Sequence, residues 1–394
     1  MSTLFRIGLF CLVLFVGTSV ALMVGETSGL ALVDLSNVPV ETMTKATDED
    51  TLYVTLGGEN RGIYRSNDDG RSWQQVGDGP AVDVKTIATH PANERMLYAG
   101  TFGGTTPVDG RLWYSTDKGL SWKAYEFNLP ANAEGQFPAV NALTVDPNHP
   151  GILYIGTEGQ GLYRLQSGYA GYTPIGGTPS QNLYVRDVVA TVDSPVYAVT
   201  TEGLIVIEGD TWHKIDTLPD AAVSLAIDPQ NPKTLYVGTV GYGAHRSSDG
   251  GQTWQPINRD LGLQPGVILR IPAIAVDEAN PHHLALATAF SVGSRLVGDG
   301  VYESFDAGES WTKLAENREL VQHLTIEDGR IYAATAKGLV RYGVPLSPVS
   351  SDTLRAQVNG LTTPTGLQSL VLVLTAAVAG WMLVGRLNWL PRRA

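Results

Sequence analysis

Four aspartates occupy the same place in a repeated eight-residue pattern, S-x-D-x-G-x-[ST]-W, and their carboxylates are the first candidates for chemistry. The copies are SNDDGRSW (66–73), STDKGLSW (115–122), SSDGGQTW (247–254) and SFDAGESW (304–311). A short acidic side chain can accept backbone N–H bonds across a tight turn, and a following glycine can adopt the positive φ that the turn needs. We therefore predict that these aspartates hold turns and neither catalyse a reaction nor bind metal.

The tryptophan that ends each copy should begin an outer strand and wedge between neighbouring repeat units. The predicted structural set is Asp68, Gly70, Trp73, Asp117, Gly119, Trp122, Asp249, Gly251, Trp254, Asp306, Gly308 and Trp311. Two units have lost the pattern: the fourth keeps GDTW (209–212) and the third has only SGYAGY (167–172).

A second pattern precedes each copy and sets the number of units. It reads LYVTL (52–56), LYAGT (97–101), LYIGT (153–157), VYAVT (196–200), LYVGT (235–239), LALAT (284–288) and IYAAT (331–335). This spacing fits the 40–50-residue period of propeller blades. Strand alternation with Pro, Asn and Asp turns predicts four short strands in each unit. Such a sheet buries both faces only by stacking radially, so we predict an all-β, seven-bladed propeller with four-stranded blades.

The two ends of the ring are expected to meet through one strand. The seventh unit (321–342) shows three strands, while LALVDLS (30–36) lies before the first unit and lacks a partner. We predict that this N-terminal strand forms the outer edge of the last blade.

The repeated octapeptide resembles the Asp-box, or BNR repeat, over residues 38–344. Sialidases, sortilin-type receptors, xyloglucanases and the photosystem II stability and assembly factors are built from it. The resemblance to the assembly factors implies seven blades and an extracytoplasmic, membrane-associated setting. The shared repeat implies a fold, and a fold alone does not name a function.

The loops between the second and third strands of a unit, and the connections between units, are expected on the face opposite the box, where a propeller of this kind would bind a ligand, and they carry the long insertions. They are TFGGTTPVDG (101–110), EFNLPANAEGQFPAV (126–140), INRDLGLQPGVIL (257–269) and AFSVGSRLVGDG (289–300). The candidate ligand-binding residues are Phe102, Asp109, Phe137, Arg186, Tyr242, Arg270, Phe290 and Arg295.

One catalytic interpretation depends on Arg270. LRIPAIAV (269–276) resembles the Arg-Ile-Pro motif of sialidases, which implies that Arg270 clamps a substrate carboxylate. Bidentate geometry explains the preference for Arg over Lys. The remaining sialidase residues, a Tyr nucleophile with its Glu partner among them, have no identifiable counterparts. Zincin, nucleophile-elbow, phosphate-loop and EF-hand motifs are missing from the sequence, so we expect no cofactor and no metal.

Two apolar segments flank the repeats. Residues 7–24 follow Arg6 and are expected to be a cleaved export signal, with an uncleaved anchor as the rival. Residues 367–386 form an apolar run that ends in a basic flank and predict a transmembrane helix with a cytoplasmic tail (387–394). The predicted organisation is therefore signal or anchor (1–24), propeller (30–344), Ser/Thr/Pro-rich stalk (345–366) and a single membrane span, with the propeller outside the cytoplasm.

Composition narrows the functions that remain. The 394-residue chain has 27 Lys and Arg against 39 Asp and Glu, a net charge of −12, which disfavours nucleic-acid binding. Its single cysteine, Cys11, excludes an intrachain disulfide. We predict a membrane-anchored, non-catalytic scaffold that binds a protein or membrane complex. The alternative is a sialidase-like glycoside hydrolase or a carbohydrate-binding protein.

Overall fold

The computed structural model describes residues 32–33, 35, 37–46, 51–77, 79–80, 82–106, 108–126, 128–167, 171–177, 183–262, 268–292, 295–316 and 318–342. These residues form strands and one 3-10 turn, Gly58–Asn60. The strands are β1 Leu32–Val33, β2 Val40–Lys45, β3 Leu52–Leu56, β4 Gly62–Ser66, β5 Trp73–Gln75, β6 Val84–Thr89, β7 Leu97–Thr101, β8 Leu112–Ser115, β9 Lys123–Ala124, β10 Val140–Val145, β11 Ile152–Thr157, β12 Leu162–Gln166, β13 Thr173–Pro174, β14 Val185–Val189, β15 Val196–Thr200, β16 Gly203–Glu208, β17 Thr211–Lys214, β18 Ala222–Ile227, β19 Leu235–Thr239, β20 Ala244–Ser247, β21 Gln255–Pro256, β22 Arg270–Val276, β23 Leu284–Val292, β24 Arg295–Ser304, β25 Thr312–Glu316, β26 Val321–Glu327, β27 Arg330–Thr335 and β28 Gly338–Tyr342.

Seven antiparallel sheets follow one another along the chain and confirm the predicted seven-bladed propeller. Blade 1 is β2 to β5, blades 2 to 6 are β6–β9, β10–β13, β14–β17, β18–β21 and β22–β25, and blade 7 is β26–β28. Within the described residues blade 7 has three strands and each of the others has at least four. The second strand of each blade is largely buried; in β3, β7, β15 and β19 every residue is buried, as it is in the first strand of blade 5, β18.

The predicted closure of the ring by the N-terminal strand is wrong. β1 pairs with β5 and so adds a fifth strand to blade 1, with Leu32 opposite Gln74. The chain then reaches blade 7 at one point, where the Asn37 N–H donates to the Lys337 carbonyl at 2.7 Å. Leu35 and Val38 belong to the apolar cluster that contains residues of blades 1 and 7. The N-terminal segment is therefore joined to blade 1 by strand pairing and to blade 7 by the burial of these side chains.

Each Asp-box turn is held by its aspartate and its first serine. In the first box, Asp68 accepts hydrogen bonds from the Ser72 N–H at 2.9 Å, the Ser72 hydroxyl at 2.6 Å and the Ser66 hydroxyl at 2.8 Å. The Gly70 N–H donates to the Ser66 hydroxyl at 2.8 Å. The boxes around Asp117, Asp249 and Asp306 contain the same contacts.

The box turns also join neighbouring blades, through the residue that follows each aspartate. Asp69 and Gly70 are both left-handed, with φ of 57° and 72°. This conformation leaves the Asp69 carbonyl accessible to blade 7, whose Tyr332 hydroxyl and Arg341 guanidinium donate to it at 3.0 and 3.1 Å. The same contact joins Tyr53 of blade 1 to Lys118 of blade 2 at 3.3 Å.

The box tryptophans lie against the preceding blade. The Trp311 indole N–H donates to the Ile257 carbonyl of blade 5 at 2.7 Å, and the Trp254 indole N–H donates to the Thr217 hydroxyl, which follows blade 4, at 3.2 Å. Trp73 packs in one cluster with Tyr332 of blade 7. Trp122 packs against the cluster that holds Tyr53 of blade 1.

The predicted apolar segments at residues 7–24 and 367–386 lie outside the described residues. Among the residues that the structure describes, no helix has the length and apolar character of a membrane span.

The box carboxylates predict a loss of stability in acid. Burial acts to raise the pKa of Asp306, but hydrogen bonds from Ser310 and Ser304 outweigh it and lower that pKa to about 2. A depressed pKa stabilises the folded state above the unfolded value, and this stabilisation disappears as the pH falls towards 2. Asp306→Asn should therefore cost about 1 kcal/mol near pH 7, a value kept small because the turn faces solvent, and almost nothing near pH 2.

Urea unfolding over a pH series measures this difference. Asp216→Asn is the control, since the side chain of Asp216 is 80% exposed and forms a surface ion pair with Lys214 at 3.5 Å. An effect of Asp306→Asn that stays constant with pH would contradict the assigned role of the carboxylate.

Candidate functional site

The innermost strands of all seven blades are bulged near the end where they begin, and we call this end of the ring the mouth. The pairing register shifts between Val40 and Thr42 in β2, and in the corresponding place in β6, β10, β14, β18, β22 and β26. A bulge leaves one residue without a partner in the ladder and re-aims its side chain. The residues in these bulges are Glu41, Lys85, Asn141, Arg186, Val223, Ile271 with Pro272, and Gln322.

On the side of blades 2 and 3, three predicted ligand-binding residues have structural contacts. The Asp109 carboxylate accepts hydrogen bonds from the Thr106 N–H and hydroxyl, both at 2.8 Å, and so holds its own loop. Phe137 forms a backbone bridge with Gly104, which ties together the two long loops of this side. Phe102 lies 5.2 Å from the Lys85 ammonium, which pairs with Glu158 at 3.0 Å. On this side the Lys85 ammonium therefore has an ionic partner.

On the side of blades 4 to 6, the structure brings Arg186, Tyr242 and Arg270 together. Tyr242 forms a parallel backbone bridge with Leu269, the neighbour of Arg270. After burial, the positive charge of Arg186 is the second cause that lowers the pKa of Arg270, so the two guanidinium groups lie near enough to repel each other. Ile268 lies against Gly241, beside Tyr242, and Tyr184 lies two residues before Arg186 with its ring near Gly159 of blade 3. We call these five residues the mouth patch: Tyr184, Arg186, Tyr242, Ile268 and Arg270.

The mouth patch exposes large apolar side chains. Tyr242 is 66% exposed, Ile268 60% and Tyr184 44%. Most exposed apolar residues on a protein are isolated, but a group of them next to uncompensated charge is typical of an interaction surface.

The two arginines of the mouth patch have no ionic partner. Neither guanidinium forms a hydrogen bond or an ion pair within the described part of the chain, and the Arg270 Nε is buried without an acceptor. Burial, reinforced by the charge of Arg186, lowers the pKa of Arg270. Arg270 is half-buried and its buried Nε lacks an acceptor in the described residues, which costs free energy, while the accessible parts of both guanidinium groups are available to a ligand that supplies acceptors.

Phe290 and Arg295 lie on an extended hairpin and not on a loop. The sequence predicts an inserted loop over residues 289–300, but β23 and β24 continue to Val292 and from Arg295. Arg270 pairs with Ala289, which places Phe290 beside the mouth patch. Arg295 pairs with Val292 at the tip of the hairpin, and its side chain is exposed.

The sequence does not predict a second polar group at the mouth, which consists of Glu41, Asp83 and Lys85. Burial raises the pKa of Glu41; Lys85 opposes this rise and Asp83 adds to it, so these three charges interact. The signal that identifies this group is the bulge pattern, an apolar residue followed by one variable residue at the start of the innermost strand in every blade except blade 6. Without the register, the variable position is indistinguishable from any other strand residue.

No group of three or more His, Cys, Asp or Glu side chains in the described ranges is placed to hold a metal ion. The buried His283 has two carboxylate partners, with Nδ1 3.0 Å from Asp277 and Nε2 2.8 Å from Glu303. It lies at the start of the second strand of blade 6, at the end opposite the mouth.

Replacing Arg270 by an apolar side chain should stabilise the fold. Arg270→Met removes an unpaired donor and a like-charge repulsion, and we expect the free energy of unfolding to rise by about 1 kcal/mol. Arg246→Met is the matched control, because Arg246 donates to the Ala307 carbonyl at 3.3 Å and its loss should destabilise the protein. Chemical denaturation of both variants tests this, and a destabilised Arg270→Met protein would contradict it.

Comparison with known proteins agrees with the fold. The family model described as "Sortilin, neurotensin receptor 3" matches residues 61–169. The xyloglucanase Xgh74A of Acetivibrio thermocellus is 28% identical over 285 residues, which cover 67% of this chain and 29% of that enzyme. The chain therefore spans less than a third of this relative.

Two solved structures share the architecture. The GH74 xyloglucanase of Xanthomonas campestris superposes with a TM-score of 0.62 at 18% identity, covering 81% of this chain and 55% of the enzyme. The structure of YCF48 bound to D1 peptide has a TM-score of 0.56 at 16% identity and covers 81% of this chain and 98% of YCF48. At such identities the likeness shows the fold alone. Together with the four box turns, these findings confirm that the chain is a seven-bladed Asp-box β-propeller.

Proposed function

We propose that this propeller is a non-catalytic binding module whose mouth patch docks a polypeptide segment with carboxylates beside apolar side chains. The observation that carries the proposal is the pair of unpartnered arginines among exposed tyrosine and isoleucine side chains. A guanidinium can bind a carboxylate in a bidentate manner, and an ammonium cannot. Tyr and Arg are also the residue types that dominate the energetics of protein interfaces.

The unpaired guanidinium groups of the mouth patch support an acidic ligand. The protein as a whole is acidic, with a net charge of −12. An acidic segment is therefore repelled by most of the surface, and the two guanidinium groups offer a local exception. YCF48, a propeller of the same fold, has been solved bound to a D1 peptide, which supports a peptide ligand here.

Photocrosslinking from the mouth patch tests this proposal. A photoreactive phenylalanine analogue at Tyr242 should give a discrete adduct in intact membranes, and Arg270→Glu in the same chain should abolish it by charge repulsion. The control position is Phe305 on a box turn, because its exposure of 65% matches the 66% of Tyr242. Identical adducts from both positions, or no adduct at Tyr242, would refute a specific ligand at the mouth.

We further propose that the module is anchored at the outer side of a membrane. The support is sequence alone: the apolar run 367–386 with its basic flank, and the export-signal pattern of residues 7–24. Anchoring would hold the mouth patch near partners that are themselves in the membrane.

Truncation of the chain distinguishes the roles of the two apolar segments. A chain that ends at residue 366 should leave the membrane fraction and appear in the extracytoplasmic fraction, with an N-terminus after residue 24. The full-length chain should remain in membranes after alkaline extraction. Retention of the truncated chain with its N-terminus intact would show instead that residues 7–24 are an anchor.

A glycoside hydrolase is the second candidate, and the interacting carboxylates Glu41 and Asp83 favour it. Glycosidases use two carboxyl groups, one of which has a raised pKa and acts as the acid. The raised pKa of Glu41 fits that acid. The enzymes that this chain resembles are xyloglucanases, so xyloglucan replaces the sialosides expected from the Arg270 motif.

Measurement of reducing sugars released from xyloglucan tests whether the protein is a glycoside hydrolase. If Glu41 is the acid, activity should fall as the pH rises through its raised pKa, and Glu41→Gln should remove it. Glu158→Gln is the control, since Glu158 only pairs with Lys85 at the surface. Full activity of the Glu41→Gln protein would eliminate this assignment.

A further inference from the structure

A cavity of about 590 Å³ opens on the outer wall of the ring, between blades 3 and 4. It is lined by Pro174, Gly176, Gly177, Asp210, Thr211 and Trp212. These residues belong to or adjoin β13 and β17, the outermost strands of the two blades. The mouth patch, by contrast, lies at the beginning of innermost strands. The volume is within the range of small-molecule sites.

The cavity occurs where the box has been lost from two successive units. In blades 5 and 6 the indole N–H of the box tryptophan donates to the preceding blade. Trp212 occupies the corresponding place in blade 4, but a short hairpin at Gly209 and Asp210 replaces the box turn. Its indole N–H has no acceptor in the described part of the chain, and its ring is half-buried. Within the described residues the Trp122 Nε1 also lacks an acceptor but is buried, whereas the half-exposed Trp212 indole offers an aromatic surface and a free donor.

A neutral ion pair forms the polar side of the cavity. The Asp210 carboxylate lies 2.8 Å from the Arg164 guanidinium, and the side chains are 56% and 19% exposed. The Asp210 carbonyl also accepts the Gly176 N–H at 2.7 Å, which fixes the hairpin against blade 3. Because Arg164 compensates the carboxylate, the site carries little net charge while keeping free acceptor lone pairs.

Two glycines leave the rim of the cavity open. A Cβ atom at Gly176 would lie 2.6 Å from the Trp212 Nε1 and would cover the indole. A Cβ at Gly177 would meet nothing within 4 Å. Ligand atoms can therefore approach the ring edge and the backbone closely.

From this arrangement we propose that the cavity binds a neutral saccharide unit of a glycan. The aromatic surface packs against the C–H face of a sugar ring, and the Asp210 carboxylate accepts hydrogen bonds from two hydroxyl groups. The Trp212 N–H and the Thr211 hydroxyl are further hydrogen-bonding partners. Because Arg164 and Asp210 compensate each other, the described residues of the cavity offer a charged ligand no unpaired charge of opposite sign. The site is independent of the mouth patch and of the function proposed for it.

Calorimetric titration of the full-length protein in a detergent without sugar groups tests the site. The probes are cellotriose, maltotriose and tri-N-acetylchitotriose, and at least one should bind. Trp212→Phe keeps an aromatic ring but removes the donor and part of the surface, and it should weaken that binding about fivefold or more. Asp210→Asn should also weaken it, since the amide replaces one acceptor with a donor.

Trp254→Phe is the matched control: it changes the equivalent tryptophan of blade 5, whose N–H is already bonded to Thr217, and should leave glycan affinity unchanged. Arg270→Glu should also leave it unchanged, which distinguishes this site from the mouth. Equal affinity of the Trp212→Phe and wild-type proteins would overturn the proposal, and so would the absence of binding by all three probes at about 10 mM.

Discussion

The left-handed residue after each box aspartate uses its backbone groups to bond its own blade, the preceding blade or both. In blades 2, 5 and 6 its N–H donates to the first turn of its own blade, from Lys118 to Arg95, Gly250 to Lys233 and Ala307 to His282. In blades 1, 2 and 6 its carbonyl accepts a donor from the preceding blade. An isolated blade buries only part of its apolar surface, so these bonds fix the orientation in which neighbouring sheets bury the rest. The aspartate acts indirectly, by stabilising the turn that presents this residue.

Closure of the ring follows from the same contact. Tyr332 of blade 7 donates to Asp69 of blade 1 as Tyr53 of blade 1 donates to Lys118 of blade 2. The ion pair of Arg330 with Asp69 at 3.1 Å adds to this junction. The first and last blades therefore meet as any other pair does, and a shared strand is not needed to join them. β1 is free to extend blade 1 instead.

The repeat explains why much of this fold is predictable from one sequence and why some of it is not. The second-strand pattern and the box are local signals that recur seven and four times, and each copy supports the others. The partner of β1 depends on packing between residues about 300 positions apart in the chain, such as Leu35 and Leu339. The meeting of Arg186 and Arg270 is also non-local, because it requires the bulges of two separate blades at the same level of the ring. The sequence identifies both arginines as candidates, but only the register of the strands shows that they lie in one patch.

The contrast between satisfied and unsatisfied polar groups divides this propeller into scaffold and site. At the box turns, carboxylates, hydroxyls and backbone groups have partners within the turn or in the next blade, which is the usual condition of polar groups in a folded protein. At the mouth patch two guanidinium groups have none within the described residues, and at the outer cavity an indole N–H has none. Buried scaffold atoms such as the Trp122 Nε1 and the Tyr163 hydroxyl also lack partners in the described residues, so an unpaired group points to a ligand only where it is accessible beside other binding groups. The mouth patch and the outer cavity meet that condition with different chemistry, cationic and apolar at the mouth but neutral and aromatic on the outer wall, which is why the ligands proposed for them differ in class.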